Sequence, residues 1–237
     1  MGRSVLLRSR DDGATFTNCA TISRDKIIYI APAAITNRLW KGVPQEDGRG
    51  LLLFAASTEY RRSDPYLAYL PLAEIENPSA LRYFAGRDAK GMPRWSKTES
   101  DAQALFSHPC IGELCVTYNR FLRRWLMLYN CEAHRGVRGI HFRVAEKPWG
   151  PWSESDLLFE PWRDKAYGAY IHAADKSKVP IDAVHDPGRE NDWGGEYGPY
   201  VVERFTRGAA GSTTIYYVLS TWNPYNTVLM KSTLQVA

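Results

Sequence analysis

Among the acidic residues that stand beside glycine or proline in this 237-residue chain are Glu113 after Gly112, Glu196 after Gly194 and Gly195, and Asp64 before Pro65. Two carboxyl groups held across a cleft could break a glycosidic bond. One protonates the leaving oxygen and the other activates water, with about 6.5 to 9.5 Å between them when configuration inverts. The segments around them carry the other side chains such chemistry would use. They read TEYRRSDP at 58–65, NCEAHR at 130–135, GGEYGPY at 194–200 and TWNPYN at 221–226. Aromatic faces stack on the C–H surfaces of sugar rings, and charged forks bind hydroxyls. The candidate catalytic residues are therefore Glu113, Glu196 and Asp64. The candidate substrate-binding residues are Tyr60, Arg61, His134, Tyr197, Trp222, Asn223 and Tyr225.

Each has a plainer reading. Glu113 and Glu196 could bond neighbouring backbone N–H groups or an arginine. Asp64 before proline is a common turn initiator, and Arg61 could be its structural partner. His134 sits in a polar loop where solvation suffices. Trp222, Tyr225 and Tyr200 could be ordinary packing. What favours chemistry is convergence, and convergence depends on the elements that hold these segments.

Those elements are strands. Apolar runs of five to eight residues, bounded by turn residues, recur along the chain. They are Ser4–Arg8, Leu51–Ser57, Tyr66–Pro71, Leu114–Tyr118, Trp125–Tyr129, Ile140–Ala145, Tyr200–Phe205, Thr214–Ser220 and Thr227–Lys231. Helix signals are confined to single turns at Leu72–Ile75 and Asp101–Phe106. The pattern predicts an all-β fold of about thirteen to sixteen strands, set out as the repeating four-stranded units of a propeller. Segments 114–118, 125–129, 140–145 and 152–159 fill one such unit. Segments 51–57, 66–71 and 80–86 fill the last three places of another, and 200–205, 214–220 and 227–231 the first three of a third. In such units the starts of first strands and the loops from second to third strands share one face, so the segments above would converge there. The stretch 162–195 is expected as a long loop over that channel face. A sandwich is the alternative architecture.

The run SRDDGATF at 9–16 has the form S-x-D-x-G-x-T-[WF] of the Asp-box hairpins found in sialidase-type propellers. Asp11 is expected to accept backbone N–H groups, Gly13 to supply a positive φ, and Phe16 to pack under the turn. It is assigned no catalytic role.

Composition narrows the function classes. Aromatic residues make up 13% of the chain and recur along most of it, which excludes a disordered chain. The net charge is +4 with basic residues scattered, against the basic stripe of a nucleic-acid binder. No apolar run is long enough for a bilayer-spanning helix, so no membrane partner is expected. Residues 1–10, MGRSVLLRSR, lack the apolar core and cleavage site of a signal peptide. The four cysteines, Cys19, Cys110, Cys115 and Cys131, have no metal-site spacing, so neither a metal nor another cofactor is expected. Cys115 and Cys131 could face each other across neighbouring strands; the preferred reading is of small buried hydrophobes.

Longer motifs carry a family resemblance. The runs EYRRSDPYLAYLPLAEIENPSALRYFAG, IGELCVTYNRFLRRWLMLYN, AEKPWGPW and GEYGPYVVERF, followed by YYVLSTWNPYNTVLM, resemble the family called domain of unknown function 4185 from about Gly2 to Leu234. That resemblance implies a five-bladed propeller of the glycosidase type. It also implies inverting endo-acting hydrolysis of a polysaccharide or oligosaccharide, most nearly an arabinan-type furanoside, outside the cell. Family members usually begin with further blade material carrying a Gly-Asp-Thr-like motif and a catalytic aspartate. This chain opens within a blade at Arg3–Arg8 without that motif. The expectation is therefore a single propeller domain over 1–237, incomplete at its N-terminus, with three to four blades. A non-catalytic carbohydrate-binding propeller or an inactive relative is the alternative.

Overall fold

The computed structural model describes residues 2–59, 61–134, 137–175, 179, 184 and 187–235, with the side chains at 132–134 and 137 left aside. The fold is all-β, and its chain forms two compact units.

The first unit comprises Met1–Pro109 and Lys147–Trp152. It opens with an antiparallel hairpin, β1 (Ser4–Arg8) and β2 (Thr17–Ser23). The Asp-box closes it as expected from its residue types. Asp11 accepts from the Thr15 N–H at 2.9 Å and from the Thr15 hydroxyl at 2.6 Å, Gly13 N–H donates to Ser9 Oγ at 2.8 Å, and Gly13 has φ +90°. These bonds stabilise the ionised carboxylate and hold the Asp11 pKa down at about 2. The expected packing of Phe16 under the turn does not occur. Its ring stays 61% exposed, because the two-stranded hairpin is a sheet of its own with no further strand to cover the turn.

Five strands follow as a meander in which each pairs with its sequence neighbour: β3 (Tyr29–Thr36), β4 (Arg49–Ala56), β5 (Tyr66–Pro71), β6 (Arg82–Arg87) and β7 (Pro93–Ser96). β4 is buried on both faces, which accounts for its unbroken run LLLFAA. Leu53 and Ala55 join Ile27, Ala68, Leu70, Leu81 and Tyr83 on one side. Phe54 meets Trp152 edge-on from the other, at 6.2 Å between centroids. Single helical turns fall at Leu72–Glu74, as the sequence indicates, and at Glu99–Asp101, slightly before the segment expected; Asn37–Leu39, Pro78–Ala80 and Glu203–Phe205 form further turns that the sequence pattern does not mark.

The second unit comprises Cys110–Glu146 and Ser153–Ala237. Its first sheet runs β8 (Ile111–Asn119), β9 (Arg124–His134), β10 (Val137–Ala145) and β11 (Asp156–Phe159), all antiparallel and in chain order. Its second sheet centres on β14 (Ser212–Trp222). β15 (Asn226–Gln235) pairs along one edge, while β12 (Gly195–Val201) and the short β13 (Arg207–Ala209) share the other. Both sets follow the groupings read from the sequence in order, with two corrections in the second: the strand expected over 200–205 ends at Val201 and gives way to a helical turn at Glu203–Phe205, and β13 is a strand that the apolar pattern does not mark. Leu126, Leu128 and Ile140 of the first sheet pack with Val201, Ile215, Tyr217 and Leu219 of the second, and Phe159 closes the layer. The described residues between Trp162 and Gly194 contribute no strand, only turns and one isolated bridge from Tyr167 to Ile171.

The cysteines depart from expectation. Cys131 is joined to Cys110, not turned toward Cys115, with 5.0 Å between Cα atoms. Ile111 lies directly opposite Cys131, so the residue before the strand begins is the one within reach. Cys115 is buried in the inter-sheet core, and desolvation pushes its thiol up to about 11.

Candidate functional site

Two irregularities in the first sheet of the second unit build one side of the site. Ile111 pairs with Cys131 and Leu114 with Tyr129, so Gly112 and Glu113 together stand opposite Asn130. On the other side of β9, Val137 pairs with His134 and Gly139 with Cys131, which sets Arg138 in a second bulge. Side chains alternate along a strand. Asn130 therefore continues the row of Leu126 and Leu128 that faces the second sheet. Arg138, just ahead of Ile140, reaches toward the second sheet as its contact with Glu196 shows, and Glu113 lies in the bulge at the same end of the first sheet. The same face is apolar along most of its length and polar at this end.

Glu196 lies across from that polar end. It pairs with Thr221 in β14, one step beyond the core residue Leu219 on the same face, and is 3% exposed. Arg138 Nε donates to Glu196 Oε1 at 3.3 Å. The adjacent glycine makes room for this contact: a Cβ on Gly195 would sit 1.6 Å from Arg138 Nη2. Glu196 Oε2 is buried and has no hydrogen-bond partner among the described residues. Burial raises the Glu196 pKa, Arg138 pulls against it, and the net displacement is upward. The carboxyl is thus biased toward its protonated form, the form a general acid needs. Asn130 is 1% exposed, and neither end of its amide has a partner among the described residues. A buried donor and acceptor left open cost stability unless water or a ligand fills them.

Aromatic rings stand beside the ion pair. Trp162, Tyr167 and Trp193 contact one another at centroid distances of 4.5, 5.2 and 5.6 Å. The Tyr167 hydroxyl donates to Gly194 O at 3.5 Å. Burial raises its pKa, Arg138 draws it down and Glu196 adds to the rise, so the ring lies within the field of both charges.

The remaining expected residues fall as follows. Glu113 and Glu196 belong to the second unit, on sheets that pack face to face. Tyr197 and Trp222 alternate to the opposite face from Glu196 and Thr221. Asn223 is fully buried with φ +53°, and its amide donates to Asp192 O at 2.7 Å and Arg189 O at 3.3 Å, which makes it a fastener of the 187–194 segment. Tyr225 is 65% exposed beside the Arg189 guanidinium, 5.8 Å from its ring centre. Asp64 and Arg61 lie in the first unit, where Asp64 Oδ1 accepts from the His108 N–H at 2.5 Å and Arg61 takes φ +59° in the preceding turn. Tyr60 and the side chain of His134 lie outside the described residues. Cys110 and Cys131, joined to each other, offer no thiolate to a metal.

The sequence places Asn130 in the candidate segment NCEAHR without giving it a role of its own, and it assigns none to Arg138, Trp162, Tyr167 and Trp193. The signal for Asn130 was present, since the alternation of Leu126 and Leu128 extends to it.

The model of the family described as Domain of unknown function (DUF4185) matches residues 3–231. The chain belongs to this family. No curated protein matches the DUF4185 chain. Among solved structures it is similar to a candidate hydrolase from Bacteroides ovatus ATCC 8483, at 13% identity and a TM-score of 0.41, over 71% of this chain and 35% of that one. It is also similar to an alpha-L-arabinanase from Penicillium chrysogenum complexed with arabinobiose, at 11% identity and a TM-score of 0.42, over 96% of this chain and 53% of that one. The DUF4185 chain thus spans about a third and about half of the lengths of these two.

Proposed function

We propose that this DUF4185 protein is a glycoside hydrolase acting on a polysaccharide, with Glu196 as the general acid. One observation carries the reading. Glu196 is a buried carboxyl with a raised pKa, one oxygen on Arg138 and the other open. A structural ion pair would have both oxygens engaged. The open Oε2 suits delivery of a proton to a leaving-group oxygen. Glu113, held opposite Asn130 by the bulge, is the proposed second carboxylate. In an inverting mechanism it would activate water, while the Asn130 amide holds a sugar hydroxyl. The family resemblance favours an arabinan-type furanoside, and the meander sheets with the Asp-box hairpin suit a propeller architecture. The Cys110–Cys131 disulfide favours an oxidising compartment, consistent with a protein working outside the cell.

The test is a product profile on a panel of arabinans and other polysaccharides, with the complete gene product and its Glu196→Gln and Glu113→Gln variants. Each variant is expected to keep its fold by circular dichroism and lose at least about a hundredfold in turnover. Unchanged turnover in Glu196→Gln would overturn the assignment. Saccharide binding without turnover by the unaltered protein would replace hydrolysis with carbohydrate binding.

A further inference from the structure

Trp162 is 45% exposed and Trp193 is 36% exposed, while Tyr167 between them is half-buried. Together the two tryptophans leave roughly 200 Å² of residue surface in water, given the area such residues bury when fully covered. Clustered exposed aromatic surface of this kind marks a ligand site more often than scattered single residues do.

The cluster is not needed as a fastener. Trp162 and Trp193 come from the two ends of the stretch 162–195, and main-chain bonds already tie that stretch down. Gly194 N–H donates to His172 O, and His172 N–H donates to Asn223 O, each at 2.9 Å. The Asn223 amide adds its bonds to Arg189 and Asp192. Rings serving only as a staple would be buried between the ends they join, and these are not. Their edge-to-face contacts fix one another's orientation, so a ligand meets a platform that is already ordered.

The charges nearby define the ligand. Arg163 is engaged by Asp164 at 2.8 Å and by the carbonyls of Leu157 and Leu158, and Glu160 Oε2 accepts from the Arg163 N–H. These groups satisfy one another, and Arg138, the cation nearest Tyr167 among the charges named here, is itself engaged by Glu196 at 3.3 Å. Two indole surfaces beside a self-paired charge set fit the uncharged C–H face of a neutral sugar ring. The Tyr167 hydroxyl donates to Gly194 O at 3.5 Å, two residues before Glu196, and so links the platform to the carboxyl.

We infer that Trp162, Tyr167 and Trp193 form a stacking subsite for a neutral sugar unit of a polysaccharide, next to the unit held at Glu196. The inference rests on the glycosidase reading for the role of Glu196, while the platform itself is testable by binding alone. Such a subsite makes the protein a reader of chain length: polymer bound across both places is held more tightly than a short fragment reaching only the carboxyl.

The experiment compares the Glu196→Gln chain, in which substrate persists, with the same chain further carrying Trp162→Ala, Trp193→Ala or both. Affinity is read by calorimetry for neutral arabinan, for arabino-oligosaccharides of two to eight units and for a uronic-acid polymer as control. Loss of either tryptophan should weaken neutral polymer binding at least about tenfold, the worth of one stacking contact, with less than twofold change for the disaccharide. Near-ultraviolet dichroism checks that the fold persists, and Trp193→Phe should restore most of the affinity. Unchanged polymer affinity in the double variant would overturn the inference. So would equal losses for polymer and disaccharide, which indicate a structural role, or self-association abolished by the variants, which indicates a protein contact. If Glu196→Gln still turns over substrate while the tryptophan variants lose polymer affinity, the general-acid assignment fails and the subsite stands.

Discussion

Gly194 and Gly195 are adjacent and chemically identical, yet substitution by alanine should affect them differently. A Cβ at Gly195 meets the end of a flexible side chain, with Arg138 Nη2 at 1.6 Å and Cζ at 2.6 Å. Ordinary contact begins near 3.4 Å, so the guanidinium must withdraw by about 1.8 Å. Arg138 is 36% exposed and can swing toward water, but its 3.3 Å bond to Glu196 is then lost. A charge-assisted bond contributes about 1.5 to 3 kcal/mol when buried, and solvent exposure on one side reduces the expected cost to about 1 kcal/mol. A Cβ at Gly194 instead meets backbone, with Asn223 O at 2.3 Å and Trp222 O at 2.8 Å. Neither can swing aside. The turn itself must move, at about 2 to 3 kcal/mol. Urea denaturation followed by tryptophan fluorescence should show Gly194→Ala as the costlier change, with midpoints lowered and slopes unchanged. Gly195→Ala should carry a second signature. Arg138 favours the ionised carboxyl, so its withdrawal lets the Glu196 pKa rise further. The limb of the pH–rate profile set by the general acid then moves to higher pH. Equal stability losses for the two glycines would refute the reasoning, as would a Gly195→Ala profile that superimposes on the original.

Replacing Cys110 and Cys131 with serine should cost about 3 kcal/mol, from the entropy of closing a loop whose ends are 21 residues apart; denaturation with and without reductant measures it. Glu196→Gln should be stabilising at neutral pH. The folded carboxyl titrates above its ordinary value near 4.5, so its contribution is fully present below that pH and is lost as pH rises through the folded pKa. Glutamine does not titrate, so its stability advantage should be absent in acid and grow above about pH 4.5, as melting temperatures across a pH series would show.

Much of this architecture can be read from residues, because antiparallel meanders place sequence neighbours side by side. The apolar runs centred on 114–118, 125–129 and 140–145 marked a sheet, and those of 214–220 and 227–231 marked its companion. What escaped was either weakly apolar or interrupted. β3 reads YIAPAAIT, with Pro32 and small alanines masking a strand, and β2 reads TNCATIS, mostly polar and for the most part half-buried. Strand ends escaped for another reason. The run ending at Tyr129 continues as β9 to His134, and β12 begins at Gly195, five residues before the apolar signal. The site lies in these polar extensions. Glu113 and Glu196 stand out as carboxylates after glycine, whereas Asn130 and Arg138 lie in polar stretches whose composition alone reads as loop. The Cys110–Cys131 pairing depends on a bulge that only the register reveals.

The six residues Lys147–Trp152 have a consequence for synthesis. They belong to the first unit although the chain reaches them only after β10. They bring Trp149, 1% exposed, and Trp152, whose ring meets Phe54 at 6.2 Å and Phe106 at 6.3 Å. As the chain leaves the ribosome, Phe54 and Phe106 are made early and their partner arrives last. At roughly 5 to 20 residues per second the delay between Pro109 and Trp149 is on the order of a few seconds. Through that interval the first unit holds an unfinished aromatic layer, the kind of surface that chaperones bind and aggregates grow from. A chain stopped at Pro109 would keep that state permanently, so the first unit cannot be obtained intact by cutting the sequence at its apparent boundary.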